Sequence, residues 1–261
     1  MTMLKFSANL GFLWPDRPLL ERIDAAVKAG FKAIELHWPY DTPASEVRDR
    51  CERHGVRLLA VNTVRGQPGE NGLGALAGRE REFQAAVDQS IAYCLEAGAS
   101  AIHCMAGFVP EDARAAAVTT FVDNLREAST KAAPYGLTLL LEALNPYDAP
   151  GYFYSTQAEA AAILKMADRP NIRLMFDVYH VGRTEGDVAE VLTRHISLIG
   201  HVQIASVPNR EEPDSGEVNY QELFLKMNRL GYDGWIGAEY RPRGDTDSGL
   251  RWMSAYGALA G

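Results

Sequence analysis

A chain of 261 residues, 47% hydrophobic and 23% charged, has room for one large α/β domain or two small ones and the composition of a soluble enzyme. Its formal net charge of -8 argues against nonspecific nucleic-acid binding, which needs a basic field, but allows a small anionic substrate beside a bound cation. The opening MTMLKFSANL lacks the charged start and long apolar run of a secretory leader, and no stretch approaches the ~20 apolar residues of a membrane span. Three scattered cysteines, Cys51, Cys94 and Cys104, form no CxxC pair and read as reduced thiols packed as small apolar groups. A cytoplasmic protein with neither a membrane nor a nucleic-acid partner is expected.

Strand and helix patterns alternate from one end of the chain to the other. LKFSANL (4–10) reads as a first strand, followed by a helix from Pro18 to Gly30. KAIEL (32–36) and VRLLAVN (56–62) are the next two strands, with a helix from Pro43 to His54 between them that Gly55 stops. A glycine-rich loop from Gly66 to Gly78 has the composition of a mobile lid over the strand ends, and a helix over 79–97 closes at Gly98. SAIHCM (100–105), LTLLLE, IRLMFD, LIGHVQ and WIGAEY supply five more strands. Helices are predicted near 111–133, 156–167, 187–194 and 220–230, with a closing helix over 248–259.

Eight βα units with short, continuously apolar strands describe a single (β/α)8 barrel spanning residues 1–261. A doubly wound open sheet would normally carry a phosphate-binding glycine fingerprint after an early strand, and none is present. The Gly66–Gly78 loop also lacks the Lys-Ser/Thr of a P-loop.

The chemistry concentrates where four of these apolar runs end. Glu142 follows LTLLL, Asp177 follows IRLMF, Gln203 follows LIGHV and Glu239 follows WIGA. In a barrel those C-terminal strand ends converge on the catalytic face. Any one of these residues alone reads as a strand-end cap. Four at equivalent positions form an oxygen-only set for a hard divalent cation, Mg²⁺ or Mn²⁺. The stretch FDVYHVGRTEG, read as a short loop, adds His180 and Glu185 beside the substrate; Arg210 in the next loop is a candidate clamp for a substrate carboxylate. Asn9, Glu35, Asn62 and His103 are further strand-end polar groups, Asn62 and His103 being counted with the substrate-binding set. Trp38 and Tyr40 could wall the pocket. His37, His54, His195 and His201 belong to no pattern. No GxSxG elbow and no base for Cys104 supports nucleophilic triad chemistry.

The segments KFSANL, HWPYD, AGREREF, LLLEALN, FDVYH, GHVQIA, EEPDSGEVNY, GYDGWIGAEY and GLRWM occur in this order along nearly the whole chain. Together they resemble the hydroxypyruvate isomerase family of the xylose isomerase-like barrels. The resemblance implies a metal held by Glu142, Asp177, Gln203 and Glu239, with Glu142 and Glu239 as the acid/base pair. It also implies isomerisation of a small hydroxy-oxo acid, typified by hydroxypyruvate to tartronate semialdehyde. A 2-oxo-tetronate isomerase, a ketose 3-epimerase and a catalytically silent sugar-acid-binding protein are the alternatives; ketose epimerases usually place a histidine where this chain has Gln203. Trp14 and Trp252 could either join a homo-oligomer interface or cap the barrel.

Overall fold

In the computed structural model, which describes residues 4–257, the strands form a parallel barrel wrapped by helices. They are β1 (Lys5–Asn9), β2 (Ala33–Glu35), β3 (Arg57–Leu58), β4 (Ala60–Asn62), β5 (Ala101–His103), β6 (Thr138–Glu142), β7 (Ile172–Asp177), β8 (Ile199–Ile204) and β9 (Trp235–Ala238). Their order around the sheet is β3-β2-β1-β9-β8-β7-β6-β5-β4. β3 and β4 are two pieces of the predicted strand 56–62, interrupted at Leu59, whose backbone closes the ring. Its N–H donates to Ile34 O at 2.9 Å on one side, and its carbonyl accepts from Ala101 N at 2.9 Å on the other. The eight expected strands are therefore all present, one of them split.

The helices are α1 (Leu19–Lys28), α2 (Ala44–His54), α3 (Glu80–Ala97), α4 (Arg114–Ala132), α5 (Gln157–Ala167), α6 (Val178–Thr184), α7 (Val188–His195), α8 (Tyr220–Arg229), α9 (Thr246–Gly249) and α10 (Arg251–Gly257). Gly55 and Gly98 end α2 and α3 in left-handed conformation, φ 62° and 82°, as their position after the last apolar residue predicts. α6 is a correction: FDVYHVGRTEG is a short helix rather than a loop. Asp177 opens it by accepting from Tyr179 N at 2.8 Å, and sequence periodicity over seven residues is too short to announce it. Of the predicted closing helix, residues 258 and 259 lie outside the described residues.

Between barrel and helices lies a continuous apolar core that takes in both tryptophans left open above. Trp14 and Trp252 are each 1% exposed. Trp252 packs edge-on to Phe6 at 5.1 Å, and its Nε1 donates to Tyr240 Oη at 3.1 Å. Trp252 on α10 covers Phe6 of β1, and Trp14 packs edge-on to Phe31 at 6.3 Å, so both indoles are buried against the barrel wall. Cys51, Cys94 and Cys104 are buried free thiols; burial pushes Cys94 and Cys104 up to about 12, so they pack as small apolar groups. Among the described residues no helix is long and apolar enough to cross a membrane.

The glycine-rich loop is held at its far end. Gly72 N donates to Arg65 O, Gly74 N to Met105 O and Ala75 N to Ala106 O, all within 3.1 Å. A Cβ on Gly72 would stand 2.5 Å from the Met105 backbone, so this close approach requires glycine. The first half of the loop arches over the strand ends.

Candidate active site

Parallel pairing brings the strand-end polar groups together. Asp177 and Gln203 are direct register partners on β7 and β8, as are Asn62 and His103 on β4 and β5. Glu142 closes β6, and Glu239 follows β9. The four expected metal ligands are all buried, Asp177 completely. A cleft of about 600 Å³ opens above them, with Glu142, Glu239, His103, His180, Asn62 and Arg210 on its walls.

Three of the four are aimed by a second contact. Asp177 divides its carboxylate: Oδ1 caps α6, while Oδ2 faces the cluster, 3.6 Å from His180 Nε2. The cap and the site thus use different oxygens of one side chain. Glu239 Oε2 accepts from Asn9 Nδ2 at 2.7 Å and from Gln203 Nε2. The Gln203 amide also donates to Glu35 Oε2 at 2.9 Å. With its nitrogen so engaged, its oxygen is left buried and unpartnered. Glu142 Oε1 is buried and unpartnered as well.

Beneath the cluster lies a buried ion pair. Glu35 Oε1 stands 3.0 Å from His201 Nε2 and accepts from Ser7 Oγ at 2.5 Å. Burial favours the neutral acid, but the neighbouring His201 and the hydrogen bond from Ser7 outweigh it and hold Glu35 below its ordinary value. His201 is correspondingly raised, its burial overcome by Glu35. Gly237 makes this possible, since a Cβ there would lie 2.3 Å from Glu35 Oε1.

The upper cluster is not neutralised in this way. Burial, then Glu239 and Asp177, push Glu142 well above its ordinary value. Burial lifts Asp177 to about 7 against the pull of Arg210. Glu239 is held low despite burial by His37 and Arg210. Three buried carboxyls beside two orphaned oxygens fit a hard cation, which would satisfy those oxygens and neutralise the charge. Glu142, Asp177 and Gln203, with Glu239, have the donor chemistry for Mg²⁺ or Mn²⁺.

His180 also falls within 4.8 Å of Glu142 and Asp177 in a geometry that could hold an ion. Its hydrogen bonding assigns it elsewhere. Nδ1 accepts from Asn145 N at 2.9 Å, so in the neutral ring the proton resides on Nε2. Burial and Arg210 keep the ring neutral, well below its ordinary value. Nε2–H therefore points into the cleft as an unpartnered donor, 3.7 Å from Glu142 Oε1. His103 is buried at the same wall, 3.5 Å from Glu142 Oε2 and pushed down to about 4 by burial.

Three expectations need revision. Glu185 does not line the cleft. Its carboxylate accepts from Gln157 N at 2.7 Å at the start of α5, because eight residues of mostly helical chain carry it roughly 12 Å beyond Asp177. Tyr40 turns outward, its hydroxyl bonded to Asn62 O and Ser90 Oγ, whereas Trp38 does wall the cleft. Arg210 is at the site but is not a free clamp. Its Nη2 donates to Glu239 Oε1 at 2.8 Å, and Asp177 and Asp148 lie at 3.5 and 3.6 Å. Phe12 and Tyr179 stack on its guanidinium at 4.8 and 4.9 Å. Its left-handed backbone, φ 59°, is held by bonds from its N–H to Ser206 O and from Arg241 N to its own carbonyl.

His37 is a site residue that the sequence did not mark; its Nε2 lies 3.8 Å from Glu239 Oε1. The one local signal is Gly11, where a Cβ would stand 2.1 Å from the His37 ring.

Residues 23–256 match the family model described as xylose isomerase-like TIM barrel. The chain is 44% identical to the 2-oxo-tetronate isomerase of Cupriavidus necator, over 97% of this chain and 99% of that protein. It is 34% identical to the hydroxypyruvate isomerase of Escherichia coli, over 97% and 100%. A crystal structure from Brucella melitensis described as AP endonuclease, family 2, superposes with a TM-score of 0.95 at 40% identity, over 97% of this chain and 99% of that one. The 3-keto-D-glucoside 4-epimerase of E. coli shares the fold at TM-score 0.80 and 21% identity, over 98% of this chain and 100% of that one. The barrel, the strand-end site and these full-length relatives together make the chain an isomerase that belongs to the xylose isomerase-like TIM barrel family.

Proposed function

We propose that this isomerase interconverts a 2-oxo-3-hydroxy acid with its 3-oxo-2-hydroxy isomer by moving a proton between adjacent carbons. The observation that supports this reading is a pair of buried carboxyls, Glu142 and Glu239, on one cleft with opposite proton affinities. One carboxylate takes the proton from C3, leaving an enediolate across C2 and C3; the other carboxyl returns a proton to C2. The C3 hydroxyl gives up its proton as its oxygen becomes the new carbonyl, and the C2 oxygen takes one up to become the new hydroxyl, so the net change is internal and needs no redox partner. His180 Nε2–H, neutral and unpartnered, supplies a hydrogen bond to the oxygen that gains charge. Arg210 fixes Glu239 and Asp177 from the opposite side and excludes water with Phe12 and Tyr179. A Mg²⁺ or Mn²⁺ held by Glu142, Asp177, Gln203 and Glu239 would supply positive charge against the developing enediolate.

Hydroxypyruvate and 2-oxo-tetronate both contain the reacting unit. Relatives named 2-oxo-tetronate isomerase match at 39–44% identity and relatives named hydroxypyruvate isomerase or putative hydroxypyruvate isomerase at 34–42%, so both acids are candidates and the assay decides between them. The test is proton NMR in D2O with Mn²⁺ or Mg²⁺, offering both acids. Expected are conversion of at least one of the two acids and deuterium at the carbon that gains the proton. Conversion of neither acid by protein with verified bound metal sinks the proposal.

A further inference from the structure

The substrate proposed above carries a carboxylate in addition to its reacting oxygens, and it must enter a cleft whose floor is acidic. That carboxylate needs a cation of its own. Arg210 is committed to three carboxylates and is only 8% exposed. Among the described residues no lysine lines the cleft, and two guanidinium groups remain there, Arg65 and Arg241.

Arg65 lies three residues past β4, where the glycine-rich loop begins. Its guanidinium carbon stands 3.7 Å from the centre of the Trp38 ring. Trp38 is itself fixed, with Nε1 donating to Thr63 O at 3.0 Å, so platform and arginine are tied to the same strand end. The Arg65 carbonyl accepts from Gly72 N at 2.8 Å, which anchors its backbone. Among the described residues Arg65 has no carboxylate partner. Stacking uses the face of the guanidinium and leaves its N–H edge, the part that binds a carboxylate in bidentate fashion, free. Arg241 has no comparable platform; its guanidinium lies 6.0 Å from the Phe12 ring.

We propose that Arg65, stacked on Trp38, is the carboxylate anchor that makes this site prefer hydroxy-oxo acids over neutral ketoses. This assignment rests on the function proposed above. An anchor on the cleft wall takes the C1 carboxylate, which is bonded directly to C2, while the cluster below it handles C2 and C3. It also places the charge selection on the loop over the strand ends rather than on the catalytic residues.

The experiment compares the wild type, Arg65→Gln, Arg65→Lys and Arg241→Gln on 2-oxo-tetronate and on a neutral tetrulose. Binding of the unreactive acid glycerate is followed in parallel by calorimetry. Loss of two charge-assisted bonds should raise KM for the acid by about 10- to 100-fold in Arg65→Gln. kcat should change far less, and the acid-to-tetrulose ratio of kcat/KM should collapse. Arg65→Lys should recover part of the loss, since it keeps the charge without the planar fork. An unchanged KM in Arg65→Gln, or a selective KM rise confined to Arg241→Gln, overturns the anchor while leaving the isomerase reading intact. Absence of acid turnover with glycerate binding still weakened by Arg65→Gln overturns the isomerase reading and keeps the anchor. Glycerate binding that is equal in wild type and Arg65→Gln, without turnover, overturns both.

Discussion

Two layers of buried charge share this barrel, and they are built on opposite terms. In the lower layer Glu35 and His201 form an ion pair completed by Ser7 and by the Gln203 amide. In the upper layer Asp177 and Glu239 share Arg210, Glu142 stands beside them without it, and the buried oxygens of Glu142 and Gln203 have no partner. A closed ion pair is a support. An open cluster with surplus negative charge is a place for a ligand, because burying such charge without compensation costs several kcal/mol per ion. Gln203 joins the layers: its nitrogen donates to Glu35 below and to Glu239 above, which leaves its buried oxygen without a partner.

The largest way to break the contrast is in the upper layer. Glu142→Gln or Glu239→Gln should lower kcat by ~10²–10⁴-fold, the usual contribution of a positioned acid or base. Melting temperature should hold or rise in Glu142→Gln, since a repelled buried carboxyl is replaced by a neutral amide. Near-normal turnover in both variants would rule out Glu/Glu proton transfer.

Breaking the lower layer should do the reverse. Glu35→Ala leaves His201 buried without its counter-charge and should cost ~3–5 kcal/mol in denaturant unfolding. Replacing both Glu35 and His201 by leucine should recover much of that stability without recovering metal affinity, because the Gln203 amide has lost its lower acceptor. Equal Mn²⁺ affinity in the double variant and wild type would remove Glu35 from any role in aiming Gln203.

Metal separates the layers again. At a hundredfold excess over Kd, Mn²⁺ should stabilise the wild type by ~2.7 kcal/mol, read as a melting shift reversed by EDTA. Asp177→Asn keeps the α6 cap, since asparagine caps as well as aspartate, and removes one repelled charge. It should therefore melt higher than wild type without metal and gain less from Mn²⁺; a full metal-induced shift in this variant would exclude Asp177 as a ligand. The smallest effect is expected at Glu185, outside both layers. Glu185→Gln should cost ~0.5–1 kcal/mol through the weakened contact at the α5 N-terminus and leave KM where it was.

The barrel and the cluster of polar groups at its strand ends were legible in the sequence for one reason. Parallel strands buried on both faces are continuous apolar runs, so the first polar residue after each run marks the catalytic end. That rule placed Glu142, Asp177, Gln203 and Glu239 at one end of the barrel, where the structure brings them together. The same rule misplaced Glu185, because it gives the element but not how far the next helix carries a side chain. Gly66–Gly78 was read from composition as a lid; composition does not reveal the bonds that hold Gly72, Gly74 and Ala75 against residues 65, 105 and 106.

Partnership was decided only by the tertiary structure. Histidine has the same local signature whether it neutralises Glu35 from 166 positions away, as His201 does, or turns Nε2 into a cleft, as His180 does. Arginine likewise reads the same whether saturated by three carboxylates or lying unpaired on Trp38. Hydrophobic periodicity is a property of neighbours along the chain, so the sequence by itself determined the strands, their polar ends and the oxygen-rich chemistry. Charge compensation is a property of neighbours in space, and barrel closure alone settled which of those polar groups are satisfied and which stand open to a ligand.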